Sequence, residues 1–312
     1  MRCYLCPAMN KNKAYIRYTR FVLVWIFVVI LAGGVVRMTQ SGMGCPDWPK
    51  CFGRWVPPTD ASQLPADFEK YLSTQDIDHS FNAYHTWIEY INRLTGAVLG
   101  ILVFAHMIWS FRLYFKTQRS IFWWSLLLVL TTGFQAWLGK MVVAHNLAVV
   151  KVTTHMLVAI VIAAIPLIIL ALLNKRKENV PAYLKHLTVV ALVLVLLQVV
   201  LGTDVREQID EISKPLGYQQ RELWLSGLDN MFLLHRSTSW LVLAVCLFLF
   251  WRSRPYASLR LHGNLTAAFV LIALGAGLSL YFFNMPTIMQ PVHLLTACLL
   301  SVTLFSFRLQ MK

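Results

Sequence analysis

The stretch Asn230-Met-Phe-Leu-Leu-His-Arg-Ser-Thr-Ser-Trp240 opens an apolar run that continues to Trp251. The run has the length of a membrane helix, and it sets His235 and Arg236 near one end. An ionisable side chain at that depth is costly, so a functional role is its default interpretation. Imidazole ligates haem iron, and a guanidinium pairs with a carboxylate such as a haem propionate. The arrangement recurs: His293 stands near the start of the run Val292 to Phe307, and His155 near the start of Leu157 to Leu173. Alignment of Asn92-Arg93 with His235-Arg236 puts an asparagine at the fourth position.

The 312 residues are 57% apolar and only 13% charged, which suits a polytopic membrane protein and not a soluble domain of this length. The net charge of +14 does not point to nucleic acid, because the cations lie in short loops between apolar runs. Runs that approach or exceed the roughly 20 residues needed to span are Tyr18–Met38, Tyr84–Phe111, Ile121–Val143, Leu147–Leu173, Leu184–Val205, Met231–Trp251, Leu265–Phe283 and Ile288–Arg308. None alternates as a strand does, so the fold expected is all-α, with eight transmembrane helices.

Lys and Arg placement orients the chain. With the N-terminus inside, the inner segments collect Lys11, Lys13, Arg17, Arg112, Lys116, Lys175, Arg176, Lys177, Arg252 and Arg254, while Asp47, Asp60, Asp67, Asp76, Glu207, Asp210, Glu222 and Asp229 fall outside. Both termini are then cytoplasmic, and the protein is a multi-pass protein of the cell membrane. The first run is long and no small-x-small site follows it, so a cleaved signal peptide is not expected. The domain organisation expected is a tail at 1–17, an N-terminal half at 18–173 with a large outer loop at 39–83, a linker at 174–183 and a C-terminal half at 184–308.

The halves form an internal repeat of four helices each. Arg37 and Arg206 both follow glycine-containing helix ends, Asn92-Arg93 matches His235-Arg236, and His155 matches His293. Two pseudo-equivalent four-helix bundles are expected, each able to hold a planar cofactor between its even-numbered helices. His235 and His293 suit bis-imidazole ligation of one haem at matched depth. In the first half His155 has only Asn92 opposite, a poor iron ligand. The iron is then five-coordinate or takes a ligand from elsewhere; His85 is the candidate, although it stands two turns further out. His145 lies in the outer turn between the third and fourth runs. His79, His106, His186 and His262 fit no pattern and are expected at the interface.

Glu89 stands inside the second span, on one helical face with His85 and Asn92. It either pairs with Arg93 four residues on, or handles a proton or faces substrate. Gln135 and Gln198, followed four residues later by Gly139 and Gly202 respectively, either bind a ligand or bridge helices, with bridging the expectation, and the glycines suit close helix approach. Cys45 and Cys51 lie in the outer loop, where a disulfide is permitted and a redox-active or free pair is the alternative. Cys3 and Cys6 have no second pair with which to build a zinc site. Cys246 and Cys298 are expected to be packing residues. Asp67–Leu72 is expected to form a short amphipathic surface helix.

The segments Gly33-Gly-Val-Val-Arg37, Ser41-Gly-Met-Gly-Cys-Pro-Asp-Trp-Pro-Lys-Cys51, Glu89-Tyr-Ile-Asn-Arg93, Gln135-Ala-Trp-Leu-Gly139, His155, Leu234-His-Arg236 and Pro291-Val-His293 together resemble the haem A synthase family, in family order across all the spans. The resemblance implies oxidation of a methyl group of haem O to a formyl group by successive hydroxylations. It implies a resident haem b on His235 and His293 with Arg236 and Arg93 at propionates. It implies a haem O substrate site with His155 as iron ligand and Glu89 as an essential acid, and a disulfide between Cys45 and Cys51. Expected partners are haem O, haem O synthase, cytochrome oxidase assembly factors, an electron carrier, membrane lipid and further copies of the chain; nucleic acid is not among them. The chain departs from the family where most members carry histidine at Asn92, and it lacks the cysteine pair some members have in the third outer loop. A membrane b-type cytochrome that only carries electrons is the alternative function.

Overall fold

The computed structural model of the chain describes residues 6–68, 81–144, 149–174 and 177–312. Its long helices are α1 (Cys6–Met38), α2 (Ala83–Tyr114), α3 (Arg119–Ala144), α4 (Val149–Leu173), α5 (Ala182–Ser213), α6 (Asn230–Ser253), α7 (Arg260–Phe282) and α8 (Met289–Leu309). All of them are long and apolar enough to cross a membrane, and no strand occurs among the described residues. In hydrocarbon a helix satisfies its own backbone, so apolar runs of this length have no competing form. The starts of α2 and α6 are capped by side chains. Asn82 Oδ1 accepts from the N–H groups of Tyr84 and His85, and Asp229 accepts from Met231 N–H.

The two largest departures from the expected boundaries are in α1 and α5. α1 begins at Cys6, well before Tyr18. α5 continues past Val205 to Ser213, because its polar residues pair one turn apart: Arg206 meets Asp210 at 2.9 Å and Gln208 meets Asp204 at 2.9 Å. The same extension buries Val205 and Ile209 against Trp224 and Met285. The amphipathic helix expected over 67–72 lies partly outside the described residues. Its described part, Asp67 and Phe68, is a turn, and the nearby helical element is a short 3-10 turn at Ala61–Gln63 capped by Asp60. His79, His145 and Cys3 also lie outside the described residues.

The chain forms two compact units. One holds α1, α2, α3 and α4 from His155 onward; α1 packs on α2, and α2 on α3. Polar hooks tie these apolar helices together. Trp25 Nε1 donates to the Thr95 carbonyl at 3.1 Å, Tyr18 to the Leu102 carbonyl at 3.0 Å, and Tyr15 meets Ser125 Oγ at 3.1 Å. His106 is not interfacial. It is fully buried, 3.0 Å from Thr19 Oγ1 and stacked on Tyr15, because one polar partner in an apolar interior suffices to hold it there.

The other unit holds α5 to α8 as a closed bundle in which α5 packs on α6, α6 on α7, α7 on α8, and α8 back on α5. Its core runs through Leu184, Val195, Cys246, Leu249, Leu304 and Phe307. Cys246 and Cys298 are buried free thiols, in keeping with a packing role. His262 meets Ser306 at 3.0 Å and stacks on Phe307.

Candidate functional site

In the α5–α8 bundle, α6 and α8 each deliver a histidine about one turn in from their starts. The rings of His235 and His293 stand 6.3 Å apart, centroid to centroid, at 77°. His293 Nδ1 donates to the Ala273 carbonyl on α7 at 2.8 Å, which leaves Nε2 as the nitrogen available to a metal. Imidazole–metal bonds run at about 2.0–2.1 Å. Two of them, with half a ring added on either side, account for a separation of this size. The separation of the two rings is the size that a single metal ion held between two imidazoles would require.

The odd-numbered helices make room for these rings. A Cβ on Gly277 would lie 3.2 Å from His293 Cε1, and a Cβ on Gly202 3.2 Å from His235 Cε1. Gln198, one turn before Gly202, donates to the His235 carbonyl at 3.2 Å and to Thr238 Oγ1 at 2.5 Å. The expected helix bridging by Gln198 is present. The glycine, however, accommodates a ring edge, not a neighbouring backbone. Arg236 is exposed beside this pair, over the rings of Phe232 and Tyr281 at 5.8 and 5.7 Å. It lines an open groove of ≈ 650 Å³ with Asp229, Leu233 and Phe282. Among the described residues its guanidinium makes no hydrogen bond or ion pair, so it is available to an anion.

The other unit repeats the pattern once. Gln135 on α3 donates to the His155 carbonyl at 2.8 Å, and a Cβ on Gly139 would lie 3.6 Å from His155 Cε1. Asn92 keeps Oδ1 buried without a partner, and its carbonyl accepts from Thr95 Oγ1 at 2.7 Å. His85 lies in the first turn of α2, two turns before Asn92, with Tyr84 beside its ring.

Glu89 and Arg93 are organised around the loop between α1 and α2. Cys45 and Cys51 are joined in a disulfide, and the ring they close rests directly on α2. A Cβ on Gly44 would fall 2.4 Å from the His85 carbonyl carbon, so only glycine fits there without displacing backbone. Thr86 Oγ1 donates to the Gly44 carbonyl at 2.8 Å. Glu89 is 4% exposed; one carboxylate oxygen accepts from Cys45 N–H at 2.8 Å and the other from Arg93 at 2.5 Å. Arg93 also donates to the carbonyls of Asp47 at 2.6 Å, Lys50 at 3.0 Å and Cys45 at 2.8 Å. These four bonds take both terminal nitrogens of Arg93 and leave its Nε–H as the donor for a further anion. Apart from the Glu89–Arg93 pair, residue types do not foretell this clamp, because its other acceptors are main-chain carbonyls. The Gln-x-x-x-Gly spacing in α3 and α5 was the visible signal for the residues that surround the histidines.

Residues 16–305 match the family model COX15-CtaA, described as cytochrome oxidase assembly protein. A protein of Shewanella oneidensis named "Heme A synthase" is 32% identical over 189 residues, covering 59% of this chain and 54% of that protein. Proteins of the same name from Flavobacterium johnsoniae and Flavobacterium psychrophilum are 24% and 21% identical. Those two alignments cover 92% and 95% of this chain and 95% and 97% of the relatives. The Shewanella match thus spans about half of its relative's length, and the Flavobacterium matches nearly all of theirs.

Proposed function

This chain belongs to the COX15-CtaA family of cytochrome oxidase assembly proteins, and from that premise we propose that it is a haem A synthase, an integral membrane oxidoreductase that converts haem O to haem A. The observation that carries the proposal is the family match from residue 16 to residue 305, which takes in every histidine, the disulfide loop and Glu89. Relatives aligned over almost their whole length bear the name of the enzyme, and this favours catalysis over simple electron carriage.

Haem O is the substrate. Its methyl group is hydroxylated twice, each time with loss of two electrons to an oxidant from outside the chain, and the gem-diol loses water to leave the formyl group. His155 is the residue we assign to the substrate iron. Asn92, with a buried and unpaired carboxamide oxygen, stands where most family members have the second histidine, so the substrate iron is open on that side or takes His85. Glu89 is the acid we place at proton transfer. Its present bonds to Cys45 N–H and Arg93 make the disulfide loop part of its environment.

His235 and His293 are the residues that would hold a resident haem b, and the chemistry that group would supply there is electron transfer. The ring separation of 6.3 Å supports this assignment. Arg236, facing its groove without a carboxylate partner, is the cation we assign to a propionate. The even-numbered helices start on the outer face and both termini are cytoplasmic, in line with the Lys and Arg distribution.

The test is expression of the chain in a host that makes haem O and no haem A, followed by extraction and mass analysis of the haems. Haem A is the expected product. Haem B alone, from intact protein in the presence of haem O, refutes the enzyme and leaves an electron carrier.

A further inference from the structure

Three histidines meet the helix facing them in the same way. Each ring lies against a glycine, and one turn earlier on that helix stands a group that bonds the histidine: Gln135 with Gly139 for His155, Gln198 with Gly202 for His235, and Ala273 with Gly277 for His293. At His293 the Ala273 carbonyl accepts from Nδ1. At the other two the bond to Nδ1 is not made. His155 Nδ1 and His235 Nδ1 are buried without partners, and so are Gln135 Oε1 and Gln198 Oε1. The four orphaned atoms form two matched sets, one ring nitrogen and one carboxamide oxygen on each pair of facing helices.

A neutral imidazole carries one N–H. When Nε2 ligates a metal, that proton sits on Nδ1 and requires an acceptor. Each carboxamide is already fixed at its other end, because its Nε2 holds the histidine's own carbonyl. Its oxygen is the end left without a partner. The Gln198 main-chain carbonyl stands at the register that Ala273 holds for His293 and is the competing acceptor for the His235 ring.

We propose that Gln198 and Gln135 are positioning residues for iron ligation, each presenting Oε1 to the Nδ1–H of His235 and of His155 respectively so that Nε2 is directed to iron. The proposal rests on the assignment of His235 as a ligand of the resident haem and of His155 as a ligand of the substrate iron. Gln198 raises the electron density that His235 gives to the metal, so it sets the potential of the resident haem as well as the ring's orientation. Gln135 acts only on the substrate site.

The test uses the full chain, purified with its resident haem, and reads the midpoint potential and the low-spin electron paramagnetic resonance spectrum. Gln198→Leu removes the acceptor and is expected to raise the potential and weaken haem retention on the order of 10- to 100-fold. Gln198→Glu keeps an acceptor and adds charge, and is expected to lower the potential. Gln135→Leu should leave the resident haem's spectrum unchanged. Parent-like potential and spectrum in both Gln198 variants, or shifts of the same sign, overturn the proposal and leave Gln198 as a helix bridge. If neither variant accumulates, Thr238→Val removes the anchor of Gln198 and must shift the potential in the sense of Gln198→Leu; a parent-like value overturns the proposal. A parent chain without haem b, or a His235→Ala variant that keeps it, refutes instead the ligand assignment beneath.

Discussion

Arg93→Met should open the disulfide loop. The substitution keeps a long unbranched side chain on α2 and removes all four bonds of the guanidinium: three to the carbonyls of Cys45, Asp47 and Lys50, and one to Glu89. It also strands the Glu89 carboxylate, 4% exposed, with Cys45 N–H as its remaining bond. Loss of one partner from a buried ion pair costs about 3–5 kcal/mol. The Arg93 side chain is 14% exposed, which favours the lower end, about 3 kcal/mol. If that cost falls on the loop, its open population rises about 10²-fold at 1.4 kcal/mol per factor of ten.

Lys50 is exposed and lies inside the ring closed by the disulfide, so a lysine-specific protease can report the opening. When reclosing is fast, the cleavage rate follows the open population. The nicked loop stays joined through Cys45–Cys51, so products are reduced before mass analysis. Arg93→Met should be cut at Lys50 about 10²-fold faster than the parent. Adding Glu89→Gln removes the stranded charge while keeping an acceptor for Cys45 N–H, and should recover about tenfold of that increase, since a hydrogen bond to a neutral group is the weaker requirement. Cleavage of Arg93→Met within threefold of the parent refutes the clamp; the carbonyl contacts would then be incidental to loop closure.

Other substitutions separate the roles assigned above. His235→Ala and His293→Ala should each lose the resident haem, read as haem b extracted per protein, and retention in either removes that residue from the ligand set. Glu89→Ala should keep that haem and lose the formyl product; full turnover would reduce Glu89 to an anchor for Cys45 and Arg93. Asn92→His should retain haem O more tightly through purification, with unchanged or slower turnover, and faster turnover would contradict an open substrate iron.

The eight spans and the paired histidines of α6 and α8 were legible because they depend on residue type at a spacing. Apolar length specifies a spanning helix, and an imidazole at matched depth in two of them foretells that the two rings meet, as they do at 6.3 Å. What was not legible depends on main-chain atoms that every residue carries. Nothing in the letters Cys45, Asp47 and Lys50 says that their carbonyls converge on Arg93, although Glu89 and Arg93 four residues apart correctly announced a pair. The continuation of α5 to Ser213 was misjudged for a different reason. Hydropathy ends at Val205, but helix does not, because Arg206–Asp210 and Asp204–Gln208 satisfy each other on the helix surface.

The clamp also bears on how Glu89 can serve two roles. Opposed alternatives, a structural pair or a catalytic acid, were drawn from sequence, yet the geometry joins them. One carboxylate oxygen holds the Cys45 amide and the other holds Arg93, so any proton taken up by Glu89 weakens the hold on the loop through the same atoms. Movement of the loop and the protonation state of Glu89 are then linked: whatever favours one biases the other by an equal free energy. This is why the Glu89→Gln background is the informative one for the protease experiment. A loop that opens equally in Arg93→Met with either residue at position 89 would show that charge on Glu89 has no part in closure, and the two roles would separate again.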